Sequence, residues 1–285
     1  GERSLQYGML LSNLAMCQMA KENYPLAKQL SDKAYDICIQ FYGDNSNNAN
    51  DRLLILNNLA TIYTKLKDFS KGKELYERVI EDATSQHNIG TKALALINLS
   101  EIYLLHENDF TKAEEYLRKA MKMEAASYVK DMAEMDLLLT QILQKRETAV
   151  NDVERYNNRI KEELASMYSH FSEVEREEYW TQKSQSLVFL NNLSAITFNT
   201  PHTLKVSYDN TIYTKSMLIN SGRLLRQLVN DCGSDVQNEY SSMINMKRRL
   251  LNKNCPNDSI DVYREEISQK EKAIVAAIPN FSNKL

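Results

Sequence analysis

Glycine and proline are scarce, at 7 and 4 of 285 residues, about 4% together against an ordinary usage of roughly 12%. Hairpin turns and phosphate-cradling loops are built from these residues. All-β folds are thereby excluded as the ground plan, and no Walker or dinucleotide glycine pattern occurs. Cysteine is equally sparse: Cys17, Cys38, Cys232 and Cys255 are scattered without C-x-x-C spacing. That argues against zinc and a disulfide framework, and fits a reducing, cytoplasmic setting. His87, His106, His170 and His202 show no metal-ligand spacing, so neither metal nor cofactor is expected. Long apolar runs are missing. The longest stretch free of Asp, Glu, Lys and Arg, Ser184 to Leu204, is interrupted by Asn191, Asn192, Asn199 and Pro201, which a bilayer core rejects. The start, GERSLQYGML, has neither the basic nor the apolar region of a secretory signal, and the early apolar pattern equally suits a piece trimmed from a longer chain. An excess of one charge is absent too, with 35 basic and 38 acidic residues. Lys247-Arg248-Arg249 is the one basic cluster and reads as a solvated helix face, so no nucleic-acid partner is expected.

What is present is a core-forming mixture, 43% hydrophobic and 26% charged, organised by an internal repeat. Three segments align: NLAMCQMAKENYPLAKQLSDKA from Asn13, NLATIYTKLKDFSKGKELYERV from Asn58 and NLSEIYLLHENDFTKAEEYLRKA from Asn98, the last with one extra residue in its turn. Each opens on Asn-Leu-small. An aromatic follows at Tyr24, Phe69 or Phe110, then a small residue at Ala27, Gly72 or Ala113, then Ala34, Val79 or Ala120. Such spacing describes two antiparallel helices whose small residues let neighbours approach closely. One hairpin cannot cover its own apolar face, so hairpins stack into a right-handed solenoid. Met9, Met16 and Met19 line up on the first helix as core or repeat-facing residues.

These units resemble the tetratricopeptide repeat, with its Leu-Gly/Ala, Tyr, aromatic, Ala and Ala at these offsets. The resemblance implies an all-α, right-handed superhelix over residues 1–170, with three clear hairpins and a degenerate fourth whose second helix runs from about Asn151 to His170. The spacings Leu14 to Leu59 and Leu59 to Leu99 exceed the family's period, and the GDNSNN loop from Gly43 and the ATSQHNIG loop from Ala83 are expected to absorb the excess. The resemblance also implies a concave groove for a peptide or protein partner. Asn13, Asn58 and Asn98 occupy equivalent positions there, with amides suited either to an extended backbone or to bonding neighbouring helices, and Thr61, Lys65 and Glu101 point the same way. Only Lys65 suits a carboxylate clamp, so a ligand with an acidic C-terminus is not implied.

From Phe171 the repeat ends but helix signals continue. Ser172 with Glu175 forms one capping box and Ser234 with Gln237 a second; Thr200-Pro201 opens a long helix to about Asn230, where Cys232-Gly233 supplies the stop. A last helix runs from about Ser259 to Ala277. Residues 171–285 thus read as a helical extension. FSEVEREEYW (Phe171 to Trp180) and YDNTIYTKSMLI (Tyr208 to Ile219) resemble segments linking tetratricopeptide arrays to the caspase-like domain of bacterial CHAT-domain proteins, especially of Bacteroidetes type. That resemblance implies a non-enzymatic regulatory module whose peptidase domain begins after Phe281 and is a further candidate partner. The competing reading is the sensor region of a bacterial signalling protein with a kinase or DNA-binding output, which requires a heptad coiled coil that Gly233 and Pro256 interrupt. Cys232 with His202 or His170 is not read as a nucleophile and base, because Q-A-C-x-G is absent.

Overall fold

A computed structural model describes residues 5–42, 50–168, 171–250 and 257–279. The GDNSNN loop, His170 and Cys255 lie outside them. Among the described residues the chain is helical throughout, with no strand, and no helix is long and apolar enough to cross a membrane. The chain divides into two compact units at residues 144 and 145.

The first unit stacks three hairpins and a further helix: α1 (Leu5–Ala20) with α2 (Tyr24–Tyr42), α3 (Asn50–Lys65) with α4 (Phe69–Ser85), α5 (Ile89–Ile102) with α6 (Phe110–Met121), then α7 (Ser127–Leu143). Each helix packs on the next in sequence, and the first helices of successive hairpins also pack on one another, α1 on α3, α3 on α5 and α5 on α7. Small residues permit this. Ala15, Ala27, Ala34, Ala60 and Ala113 are wholly buried. A Cβ on Gly72 would stand 2.6 Å from Thr64 Oγ1, so that position has room for hydrogen alone. Leu59 and Leu99 are buried at 3% and 0% exposure, whereas the equivalent Leu14 is 46% exposed, since the neighbour that covers Leu59 and Leu99 has no described counterpart beside α1. Met9 and Met19 pack against the buried clusters around Leu11 and Ala15.

The scarcity of glycine is visible in the turns. Glu22, Lys67, His87, Asn108, Lys145 and Asn199 all hold the left-handed conformation, at φ between 47° and 66°, where glycine is the unstrained choice. After α3, Lys67 N donates to Thr64 O and Asp68 N to Tyr63 O, the paired bonds of a Schellman ending, and Asp68 then accepts from Lys71 N to cap α4. Lys67→Gly is therefore expected to raise stability by about 1 kcal/mol, read as a higher urea midpoint at unchanged slope.

Two expectations about length are corrected. Ala83 to Ser85 are helical rather than loop, so helix extension absorbs much of the long repeat period and Gln86–Asn88 suffice for the turn. The extra residue of the third unit is not in its turn either. It is taken up by a short π-helical segment, Tyr103–Glu107, where Asp109 N closes onto Tyr103 O, one residue further back than in the α3 ending. This segment brings His106 onto Phe69, ring centroids 3.9 Å apart.

The second unit holds α8 (Thr148–Tyr168), α9 (Glu173–Phe198), α10 (Pro201–Asn230), α11 (Ser234–Leu250) and α12 (Asn257–Ala277). α8, expected to complete a fourth hairpin of a repeat domain ending at 170, belongs to this unit, where it packs on α9. Ser172 and Thr200 cap α9 and α10 with full capping boxes. The box expected at Ser234 does not form. Gln237 N donates to Gly233 O, so helix α11 begins at Ser234, and the Gln237 amide instead donates to Asn230 O and Cys232 O at the end of α10. Gly233 is likewise not a left-handed stop, since its φ lies outside the positive region. The core of α10, α11 and α12 gathers Leu225, Leu228, Val229, Met243, Met246, Ile267, Ile274 and Val275.

A buried ion pair ties the start of α9 to α12. Arg176 and Glu271, 1% and 2% exposed, bond directly, and Lys247 reaches the other Glu271 oxygen at 3.2 Å. Arg176 also donates to Phe171 O at 2.9 Å, and Ser268 Oγ donates to Ser172 Oγ at 2.9 Å. The FSEVEREEYW segment thus supplies a cap, a buried cation and the buried Trp180. Lys247, from the basic cluster, is engaged inside the unit, leaving Arg248 and Arg249 exposed.

Candidate functional site

The inner face of the first unit is built from α1, α3, α5 and α7, the helices that open successive hairpins. Their apolar residues meet the closing helices, which leaves a row of polar side chains between neighbouring inner helices. The row begins at Asn58, buried, whose amide donates to Ser12 Oγ at 2.9 Å. Asn98, half-buried, donates to Asn57 Oδ1 at 3.3 Å. Thr61 Oγ1 donates to Asn57 O at 3.0 Å and lies 2.8 Å from the Tyr76 phenol. Thr61 has one proton, so Tyr76 must be the donor of the second bond. Burial pushes the Tyr76 phenol up to about 12, against the pull of its hydroxyl partners, which keeps it a neutral donor.

The predicted residues therefore separate into two sets. Asn58, Thr61 and Asn98 cross-link inner helices or reach a closing helix, and Asn13 stands exposed on α1. Lys65, exposed, and Glu101, half-buried, attract each other across α3 and α5. Burial raises the Glu101 carboxyl above its ordinary range, opposed by the positive charge of Lys65 and by His106.

Three further polar residues of α3 and α7 stand out. Asp136 on α7 is 7% exposed, and burial, with the Glu101 charge facing it, pushes its carboxyl up to about 7. Gln141, equally buried, has an Oε1 with no hydrogen-bond partner. Asn57 accepts the Asn98 bond. Signals existed for two of them: Asn57 is the other half of the Asn57-Asn58 doublet, and Gln141 follows Leu139 by the interval that separates Glu101 from Leu99. Asp136 had only its isolation in the apolar run MDLLL.

Among the described residues no group of three or more His, Cys, Asp or Glu side chains is placed to hold a metal. Cys232 Sγ donates to Leu228 O at 3.3 Å and packs against the α10–α12 core. His202 pairs with Glu154 at 3.0 Å, so neither is arranged around the other.

The inner face offers amide acceptors, hydroxyls and two carboxyl groups of raised proton affinity. Chemically it suits hydrogen bonding to a peptide backbone and to a cationic or proton-donating side chain. A comparison with curated proteins gives no match. Residues 51–124 match the family model described as tetratricopeptide repeat, a repeat that generally mediates protein–protein interaction, and the stacked hairpins containing them form an all-helical solenoid of that repeat.

Proposed function

We propose that the first unit is a non-catalytic interaction module that holds an extended peptide or a protein segment against its inner face. The observation that carries this is the polar row across α3, α5 and α7, in which Asn98 bonds Asn57 and the Glu101 carboxyl faces the buried Asp136 carboxyl. The Glu101 and Asp136 carboxyls, against the single exposed Lys65, favour a partner with a basic side chain there. Peptides selected from a random library on the immobilised chain are expected to carry Lys or Arg. Glu101→Lys is expected to weaken them at least about tenfold, measured by fluorescence anisotropy, while circular dichroism stays unchanged. Selection of no peptide, or of peptides indifferent to Glu101→Lys, would overturn the reading.

The finer proposal is that this module regulates a downstream caspase-like domain of the CHAT kind by shifting how the repeats pack on it. Its support is the order of FSEVEREEYW and YDNTIYTKSMLI after the repeats. The parent reading frame is then expected to encode an α/β domain bearing His-Gly and Cys-Gly within about 200 residues after Leu285; a frame lacking one sinks that proposal alone. The competing reading, a sensor with a kinase or DNA-binding output, has less support because the helices after Phe171 break at Asn199 and again at Asp231 to Gly233.

A further inference from the structure

The second unit contains a polar cavity of about 270 Å³ between α8 and α10, unrelated to the repeat face. Its floor is an amide cluster. Asn157, Asn191 and Asn210 are 2%, 2% and 3% exposed. Asn157 and Asn191 exchange bonds of 2.9 and 3.0 Å. Asn210 Nδ2 donates to Asn191 Oδ1 at 3.3 Å and to Val206 O at 2.9 Å. Both of those partners are acceptors, so the Asn210 amide cannot be reversed. Its Oδ1 is left buried with no hydrogen-bond partner, a costly state for an acceptor that lines a cavity.

The rim carries a second unmatched group. Glu154 is paired with His202 at 3.0 Å and Asp209 with Lys205 at 3.8 Å. Lys161 has no carboxylate within ion-pair distance among the described residues, and its ammonium lies 4.8 Å from the Tyr213 ring centroid. Burial lowers its pKa, with Asp209 opposing. The cavity therefore presents one half-buried cation without an anion and one buried acceptor without a donor. A water molecule would serve Asn210 but leave Lys161 unneutralised. A simple anion would do the reverse. A molecule bearing a carboxylate and an ammonium a few bonds apart serves both, and the neighbouring Glu154 and Asp209 favour its positive end.

We infer that this cavity binds a small zwitterion of the α-amino-acid class, with the ligand carboxylate on Lys161 and its ammonium donating to Asn210 Oδ1. The site is lined by α8 and α10 and braced by Asn191 of α9, and it stands whether or not the inner face of the repeats binds peptides.

The test is thermal unfolding of the whole chain with the proteinogenic amino acids supplied singly at about 10 mM, followed by calorimetric titration of any that stabilise. At least one is expected to raise the midpoint by roughly 3 °C or more. Its N-acetyl derivative, lacking the ammonium, and its carboxamide, lacking the carboxylate, are each expected to bind at least about tenfold more weakly. Lys161→Met, which keeps the apolar stem over Tyr213, is expected to abolish the shift. No stabilising amino acid, equal binding of either derivative, or a shift that survives in a folded Lys161→Met would overturn the assignment. The derivative arm decides the matter even if that variant fails to fold.

Discussion

Glu271→Ala is expected to lower the stability of the second unit by about 3–5 kcal/mol, the usual consequence of breaking a buried ion pair by removing one member. Arg176 is 1% exposed, so removing the Glu271 carboxylate breaks a buried charge pair, and Lys247 loses its contact with Glu271 in the same substitution. Trp180, the one tryptophan of the chain, lies one turn beyond Arg176 on α9 and is 4% exposed, so its fluorescence reports this unit directly. The double replacement Arg176→Met with Glu271→Leu is expected to recover most of the loss, because two apolar side chains of similar volume avoid the desolvation of both charges. A double variant no more stable than Glu271→Ala would show that the cost comes from lost packing, not from the broken charge pair. Arg176 also donates to Phe171 O, so some loss remains in the double variant.

Asp136→Asn is expected to stabilise the first unit at pH 8 and to be neutral near pH 4. The folded chain holds the Asp136 proton to about pH 7, whereas the ordinary carboxyl releases it near 3.8. Between those values the folded state binds the extra proton and the unfolded state does not. The contribution is therefore fully present below about pH 4 and is lost as pH rises through 7. Three pH units of difference correspond to on the order of 4 kcal/mol at most, so a gain of about 2–4 kcal/mol at pH 8 is the expected effect of the neutral amide. Glu101 faces Asp136 and also has a raised proton affinity, so the two carboxyls share this pH dependence, and Lys65 and His106 moderate it from the Glu101 side. Urea unfolding at pH 4, 6 and 8 checks the prediction; curves for parent and variant that stay parallel over this range would contradict it. A destabilising carboxyl on the inner face is consistent with a place kept for a partner's cation, which would lower its pKa on binding.

The hairpins were legible before any coordinates because their signals are local. Leu59-Ala60, Leu99-Ser100, the turn aromatics and Ala27, Gly72 and Ala113 repeat at helical spacing, and the small residues that let helices touch are identifiable one by one. The Ser172 and Thr200 caps read correctly for the same reason, since a capping box involves residues three apart. The Ser234 box failed on equally local grounds: Gln237 found two carbonyls at the end of α10 more accessible than its own cap. The π-helical segment was visible only as an extra residue, and whether such a residue enters a turn or a helix depends on what it must pack against, here the Phe69 ring beneath His106.

The candidate site was half legible. Asn13, Asn58 and Asn98 are indistinguishable by position in the repeat, yet Asn13 is exposed, Asn58 is buried against Ser12 and Asn98 bonds Asn57. Periodicity assigns a face to each residue, and it does so over a few turns of one helix; it therefore determined the helices and the pairing of the three repeat hairpins. Burial and charge environment arise from side chains brought together across tens of residues: Glu101 with Asp136, Arg176 with Glu271, Asn157 with Asn191 and Asn210. Only the tertiary structure decided which polar groups lose their water and which remain without a partner, because desolvation and Coulomb interaction depend on distance in space and carry no period along the chain.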